Sequence, residues 1–92
     1  MARLSQTEID EELSGVDGWR REGEAIVKEW DRGNFVGSVD FVNEVTPLAE
    51  AMSHHPDVTI SWSKVTLSLS THSEGGLTAN DFELARQIDA LA

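Results

Sequence analysis

Ninety-two residues allow one domain with a single core and leave no length for a second module, so residues 1–92 are read as one unit. Seventeen Asp and Glu against seven Lys and Arg give a net charge of −10. That charge argues against nucleic acid and anionic membrane as direct partners, since both are bound mainly through clustered Lys and Arg. The lack of cysteine excludes disulfides and thiolate catalysis, and the first residues show no apolar leader; a soluble, cytoplasmic protein is expected.

The chain opens with two reinforcing helix-start signals. Ser5 can cap while Glu8 reaches back, and Leu4 can pack on Ile9 as a hydrophobic staple. Ile9 and Leu13 share a face, and Gly15 with Gly18 ends the helix. Trp19 to Asp31 reads as a β-hairpin, with Gly23-Glu24 as its turn. Gly33-Asn34 breaks the pattern and supplies the next cap. From Phe35 to about Ser53 the period becomes helical, with Phe35, Val39, Val42, Val45, Ala49 and Met52 on one face. Pro47 lies inside that run and predicts a kink or a break near Val45 to Pro47, because proline has no N–H and clashes with the carbonyl four residues back.

Pro56 ends this helix by pushing residue 55 towards extended geometry. Val58, Ile60 and Trp62 alternate with polar residues, as do Val65, Leu67 and Leu69. The parity shift between the two runs predicts a tight turn at Ser63-Lys64 and a second hairpin. Ser73 to Gly76 is a loop. Thr78 then caps the last helix with Asp81 at its third position, Leu77 staples to Phe82, and Leu84, Ala85, Ile88 and Leu91 form the apolar side. The order is α-β-β-α-β-β-α, an α+β fold in which a four-stranded antiparallel sheet carries three helices packed on one face.

All three histidines, His54, His55 and His72, fall between Glu50 and Asp81. Imidazole both donates and accepts protons near neutral pH, so proton chemistry in this chain belongs here. Glu50 lies four residues before His54 and shares its face if the helix persists that far. His72 closes a strand, and Asp81 sits in the first turn of the final helix. Each residue also has a plain structural use: a histidine suits a helix C-terminus, Asp81 suits a capping box, and Glu50 suits the surface. A metal site is disfavoured, because adjacent histidines on extended backbone rarely face one ion and no HExxH pattern is present.

The pattern Glu50-x3-His54-His55-Pro56-x5-Trp62-x9-His72-x8-Asp81 resembles the signature of the pterin-4a-carbinolamine dehydratases. Leu67 to His72, Gly76 to Thr78, Gly18-Trp19 and Ile26 to Lys28 extend the likeness over nearly the whole chain. The resemblance implies a small α+β enzyme that dehydrates 4a-hydroxytetrahydropterin to quinonoid dihydropterin, in recycling of the tetrahydropterin that aromatic amino-acid hydroxylases consume. It implies no metal and no cofactor. By matching position, His54, His55 and His72 are the acid–base residues, and Glu50 and Asp81 orient the imidazoles or favour their protonated form. Pro56 and Trp62 belong to the same motif; Trp62 walls the pterin pocket or packs in the core, and core is favoured. The resemblance also implies a homodimer or homotetramer, with an exposed edge strand as one route. Its alternative is a non-catalytic dimerisation or assembly factor on the same fold. Retention of all three histidines favours the enzyme.

Overall fold

A computed structural model describes residues 2–91. The elements are α1 (Gln6–Leu13), β1 (Arg20–Glu22), β2 (Ala25–Asp31), α2 (Phe35–Met52), β3 (Asp57–Ser61), β4 (Lys64–Leu69) and α3 (Ala79–Asp89), with a short 3-10 turn at His72–Glu74. The expected order and α+β class hold. The strands form one antiparallel sheet in the order β1-β2-β4-β3, so β4 crosses from its hairpin partner β3 to pair with β2. Arg20↔Val27, Lys28↔Leu67 and Val58↔Leu67 define the three registers.

Local chemistry explains most boundaries. Ser5 Oγ accepts the Glu8 N–H at 3.2 Å while Glu8 Oε1 accepts the Ser5 N–H at 2.8 Å, the expected capping box of α1. The Ser5 backbone N–H, and then its hydroxyl, hold the Glu8 carboxyl below its ordinary value. Gly23 takes φ 60 in the first hairpin turn, a conformation glycine adopts at no steric cost. Asn34 caps α2 by accepting from the Gly37 N–H at 2.7 Å. A Cβ on Gly37 would meet the Arg32 carbonyl oxygen at 2.1 Å, so that close approach requires glycine.

One face of the sheet presents Ile26, Trp30, Val65, Leu67 and Leu69, and all three helices pack there through Ile9, Phe41, Val45, Phe82, Leu84, Ala85 and Ile88. Trp30 centres an aromatic cluster, edge-on to Trp19 at 5.5 Å and tilted against Phe41 at 5.1 Å. Truncating Phe82, which is wholly buried, would cost about 3–5 kcal/mol in lost transfer energy and cavity. Among the described residues no helix is long and apolar enough to cross a membrane.

Four expectations are corrected. The second hairpin turns at Trp62-Ser63, one residue earlier than read, because Ser61 pairs with Lys64. A two-residue hairpin turn needs positive φ, and Trp62 supplies it at φ 50. Trp62 is 69% exposed and is not a core residue.

The buried stripe of α2 is Ser38, Phe41, Val45 and Ala49, whereas Phe35 at the head of the predicted stripe is 56% exposed. Ser38 Oγ donates to the Trp62 carbonyl at 2.6 Å, and this bond with the Phe41–Trp30 contact sets the helix's rotation. Finally, of the kink or break expected near Val45 to Pro47, the break is absent: α2 is continuous from Phe35 to Met52. Pro47 and Asn43 both lie on the exposed side, where solvent satisfies the carbonyl that proline's missing N–H leaves free.

Candidate active site

The site begins where α2 stops. Helix geometry ends at Met52, and Ser53 adopts the left-handed conformation at φ 49, ψ 41. The Ser53 N–H donates to the Glu50 carbonyl and the His54 N–H to the Ala49 carbonyl, both within 3.1 Å, which is a Schellman ending. Serine pays for that conformation where glycine would not. Its effect is to reverse the chain so that His54 and His55 leave the helix in different directions. Pro56, half-buried, then leads into β3, which starts at Asp57.

His54 turns inward. Its Nε2 lies 2.5 Å from Asp81 Oδ1, with the Asp81 side chain fully buried and that of His54 11% exposed. His55 turns outward and pairs through Nε2 with Glu50 Oε2, both side chains more than half exposed. The expected Glu50–His54 pairing is thereby exchanged for Glu50–His55. The helix does not persist to residue 54, so the four-residue spacing places nothing on a common face.

Asp81 occupies the third position of α3, as the capping signal predicted, and its Oδ2 accepts the Thr78 N–H at 2.9 Å. The cap and the bond to His54 are therefore compatible, because one oxygen serves each. Thr71 adds a third bond, its hydroxyl donating to Oδ2 at 2.8 Å. Thr71 was not among the sequence candidates. The signal was present in strand parity: Val65, Leu67 and Leu69 face the helices, and continuing the alternation brings Thr71 to the same side.

His72 is corrected from a strand end to the first residue of the 3-10 turn, where it is exposed. Thr71 and Gly76 exchange backbone hydrogen bonds at 3.1 and 3.3 Å, which pinches residues 72–75 into that turn. His72 directly follows Thr71, whose hydroxyl bonds Asp81, and its own side chain is exposed. The pairing Asp57↔Ser68 puts the start of β3 and the end of β4 at one end of the sheet, so the segments that carry the three histidines run at that end. Trp62 is not brought to this group. It lies at the other end of the hairpin, about 17 Å away along five strand residues. Among the described residues no group of three or more His, Asp or Glu side chains gathers as a metal ion would require.

A carboxylate only accepts hydrogen bonds, so Nε2 is the protonated nitrogen in each histidine–carboxylate pair. Nδ1 of each ring is left free to take up a proton and, once charged, to return it. The arrangement can therefore move protons at two neighbouring points without a metal ligand set.

The fold and site define an α+β domain with two histidine–carboxylate pairs and a third histidine at one end of its sheet. Residues 2–91 match the sequence profile of the family described as pterin 4 alpha carbinolamine dehydratase, and the chain belongs to that family. A relative from Roseiflexus sp. (strain RS-1), assigned by name to the same family, is 52% identical over 97% of this chain and 96% of its own. One from Sulfolobus acidocaldarius, likewise assigned, is 43% identical over 97% and 98%. The crystal structure described as a transcriptional coactivator/pterin dehydratase from Brucella melitensis superposes with a TM-score of 0.93 at 34% identity, covering 98% of both chains. A pterin dehydratase-like protein identified as a RuBisCO assembly factor in the alpha-carboxysome shares the fold alone, with a TM-score of 0.69 at 23% identity over 82% of this chain and 89% of its own.

Proposed function

We propose that this protein, acting as one cytoplasmic domain, dehydrates 4a-hydroxytetrahydropterin to quinonoid dihydropterin and water, in recycling of tetrahydropterin beside an aromatic amino-acid hydroxylase. The observation that carries the reading is the pair of proton-handling imidazoles, His54 on Asp81 and His55 on Glu50, one residue apart in the chain. In the reaction the C4a–O bond breaks, the adjacent ring nitrogen forms a double bond to C4a, the leaving oxygen takes one proton and that nitrogen gives one up. The exchange is redox-neutral and needs one acid and one base. His54, His55 and His72 are the groups that serve, with Glu50 and Asp81 orienting the first two and Pro56 fixing the backbone just after them. No cofactor is required by this balance.

The test is the dehydration rate of freshly generated 4a-hydroxytetrahydropterin, followed by ultraviolet absorbance. Wild type accelerates it, and the His54→Ala/His55→Ala double variant loses the acceleration. A folded wild type without acceleration would overturn the reading. In that case a binding role gains support from Phe35, Val36 and Trp62, all more than half exposed and away from the histidines. A homodimer or homotetramer is also proposed, and β3 is an edge strand with free backbone groups on one side.

A further inference from the structure

Asp81 is the one charged side chain that is fully buried among the described residues, and its surroundings are directional. Oδ2 accepts from the Thr78 N–H at 2.9 Å and from the Thr71 hydroxyl at 2.8 Å, while Oδ1 faces His54 Nε2 at 2.5 Å. A hydroxyl has a single proton. Thr71 spends its proton on Asp81, so the 2.8 Å contact between the Thr71 and Thr78 hydroxyls must be donated by Thr78. The hydrogen bonds therefore run one way, from Thr78 to Thr71 to Asp81. With Oδ2 doubly occupied, Oδ1 alone meets the ring, and His54 must present a proton on Nε2.

We propose that Thr71 is a positioning residue: its hydroxyl locks the Asp81 carboxylate about its terminal torsion, and thereby holds His54 in the Nε2–H tautomer with Nδ1 turned to the reacting molecule. The torsion of an aspartate carboxyl is broad and roughly two-fold, so the Thr78 N–H alone does not hold it as closely. The catalytic consequence rests on the dehydratase reading, whereas the tautomer does not.

The experiment is nitrogen-detected NMR of the imidazoles in the full chain, together with dehydration kinetics, for wild type, Thr71→Val and Thr71→Ser. Wild type shows His54 protonated on Nε2. Thr71→Val, which keeps the shape and removes the hydroxyl, shows a tautomer mixture at His54 and a kcat lower by roughly 10- to 100-fold at unchanged KM, the scale expected for a misplaced catalytic group. Thr71→Ser restores both. A His54 tautomer and kcat unchanged by Thr71→Val would overturn the proposal. So would a wild-type His54 protonated on Nδ1, which decides the matter even where Thr71→Val does not fold. A wild type without dehydration overturns the functional reading instead, and the tautomers then judge Thr71 alone.

Discussion

Two helices in this molecule begin with the same local device and use it differently. Ser5-x-x-Glu8 opens α1 and Thr78-x-x-Asp81 opens α3, each with a third-position carboxylate reaching back to the cap N–H. Glu8 does this in solvent, and its remaining hydrogen-bonding capacity faces water. Asp81 does it under a closed core, so its second oxygen needs a partner from the protein, and His54 is that partner. Burial is what converts a cap into a candidate catalytic group. An exposed carboxylate with a free oxygen loses nothing; a buried one is obliged to recruit.

Deleting each carboxylate separates the two most widely. Asp81→Ala is expected to lower unfolding free energy by about 3 kcal/mol, combining a lost cap with buried donors left unpaired. It also lowers kcat on the order of 100-fold. Denaturant titration and the absorbance assay read the two effects. Glu8→Ala should shift the denaturant midpoint far less and leave kcat unchanged; a catalytic effect there would break the contrast.

The histidines sharpen the same point one step out. His54→Ala leaves Asp81 Oδ1 buried without a donor, and a loss of about 1–2 kcal/mol is expected. His55→Ala removes an exposed pair with Glu50, for which a change within about 0.5 kcal/mol is expected. Equal losses in stability from the two variants would contradict the inward and outward assignment. Both should reduce the dehydration rate.

Relief at the turn that parts them is smaller and of opposite sign. Ser53→Gly occupies a left-handed position that glycine tolerates, and a gain of about 0.5 kcal/mol in thermal or chemical unfolding is expected. The smallest effect is in pH. Glu8 has its carboxyl held below the ordinary 4.5 by the Ser5 N–H, so its folded form releases the proton more readily than its unfolded form. That stabilisation is complete above about pH 4.5 and is lost as pH falls through the lower, folded value. Asp31, held below its ordinary 3.8 by the Gly33 N–H, behaves in the same direction one step lower. The stability difference between wild type and Glu8→Gln should therefore shrink on acidification below pH 4.5; a difference that grew would reverse the sign of the linkage.

Much of this was legible in the chain itself. Capping boxes, staples, hairpin turns and apolar periods are local, with cause and effect within about five residues, so the element order and the two helix starts could be read directly. The histidine, carboxylate and proline spacing was likewise enough for the resemblance to a family. Other features depended on contacts distant in sequence. Whether α2 buries Phe35 or Phe41 was settled by the Ser38 bond to Trp62, 24 residues on. Which carboxylate meets which histidine was settled by a left-handed serine and by the packing of α3 against that end of the sheet, since Asp81 is 27 residues from His54. Thr71, ten residues before Asp81, matters because the pinch with Gly76 folds it back onto the helix start. Sequence determined the elements, since propensity and capping act along the chain; tertiary structure decided the partners, since a buried polar group bonds to whatever the packed core brings within reach.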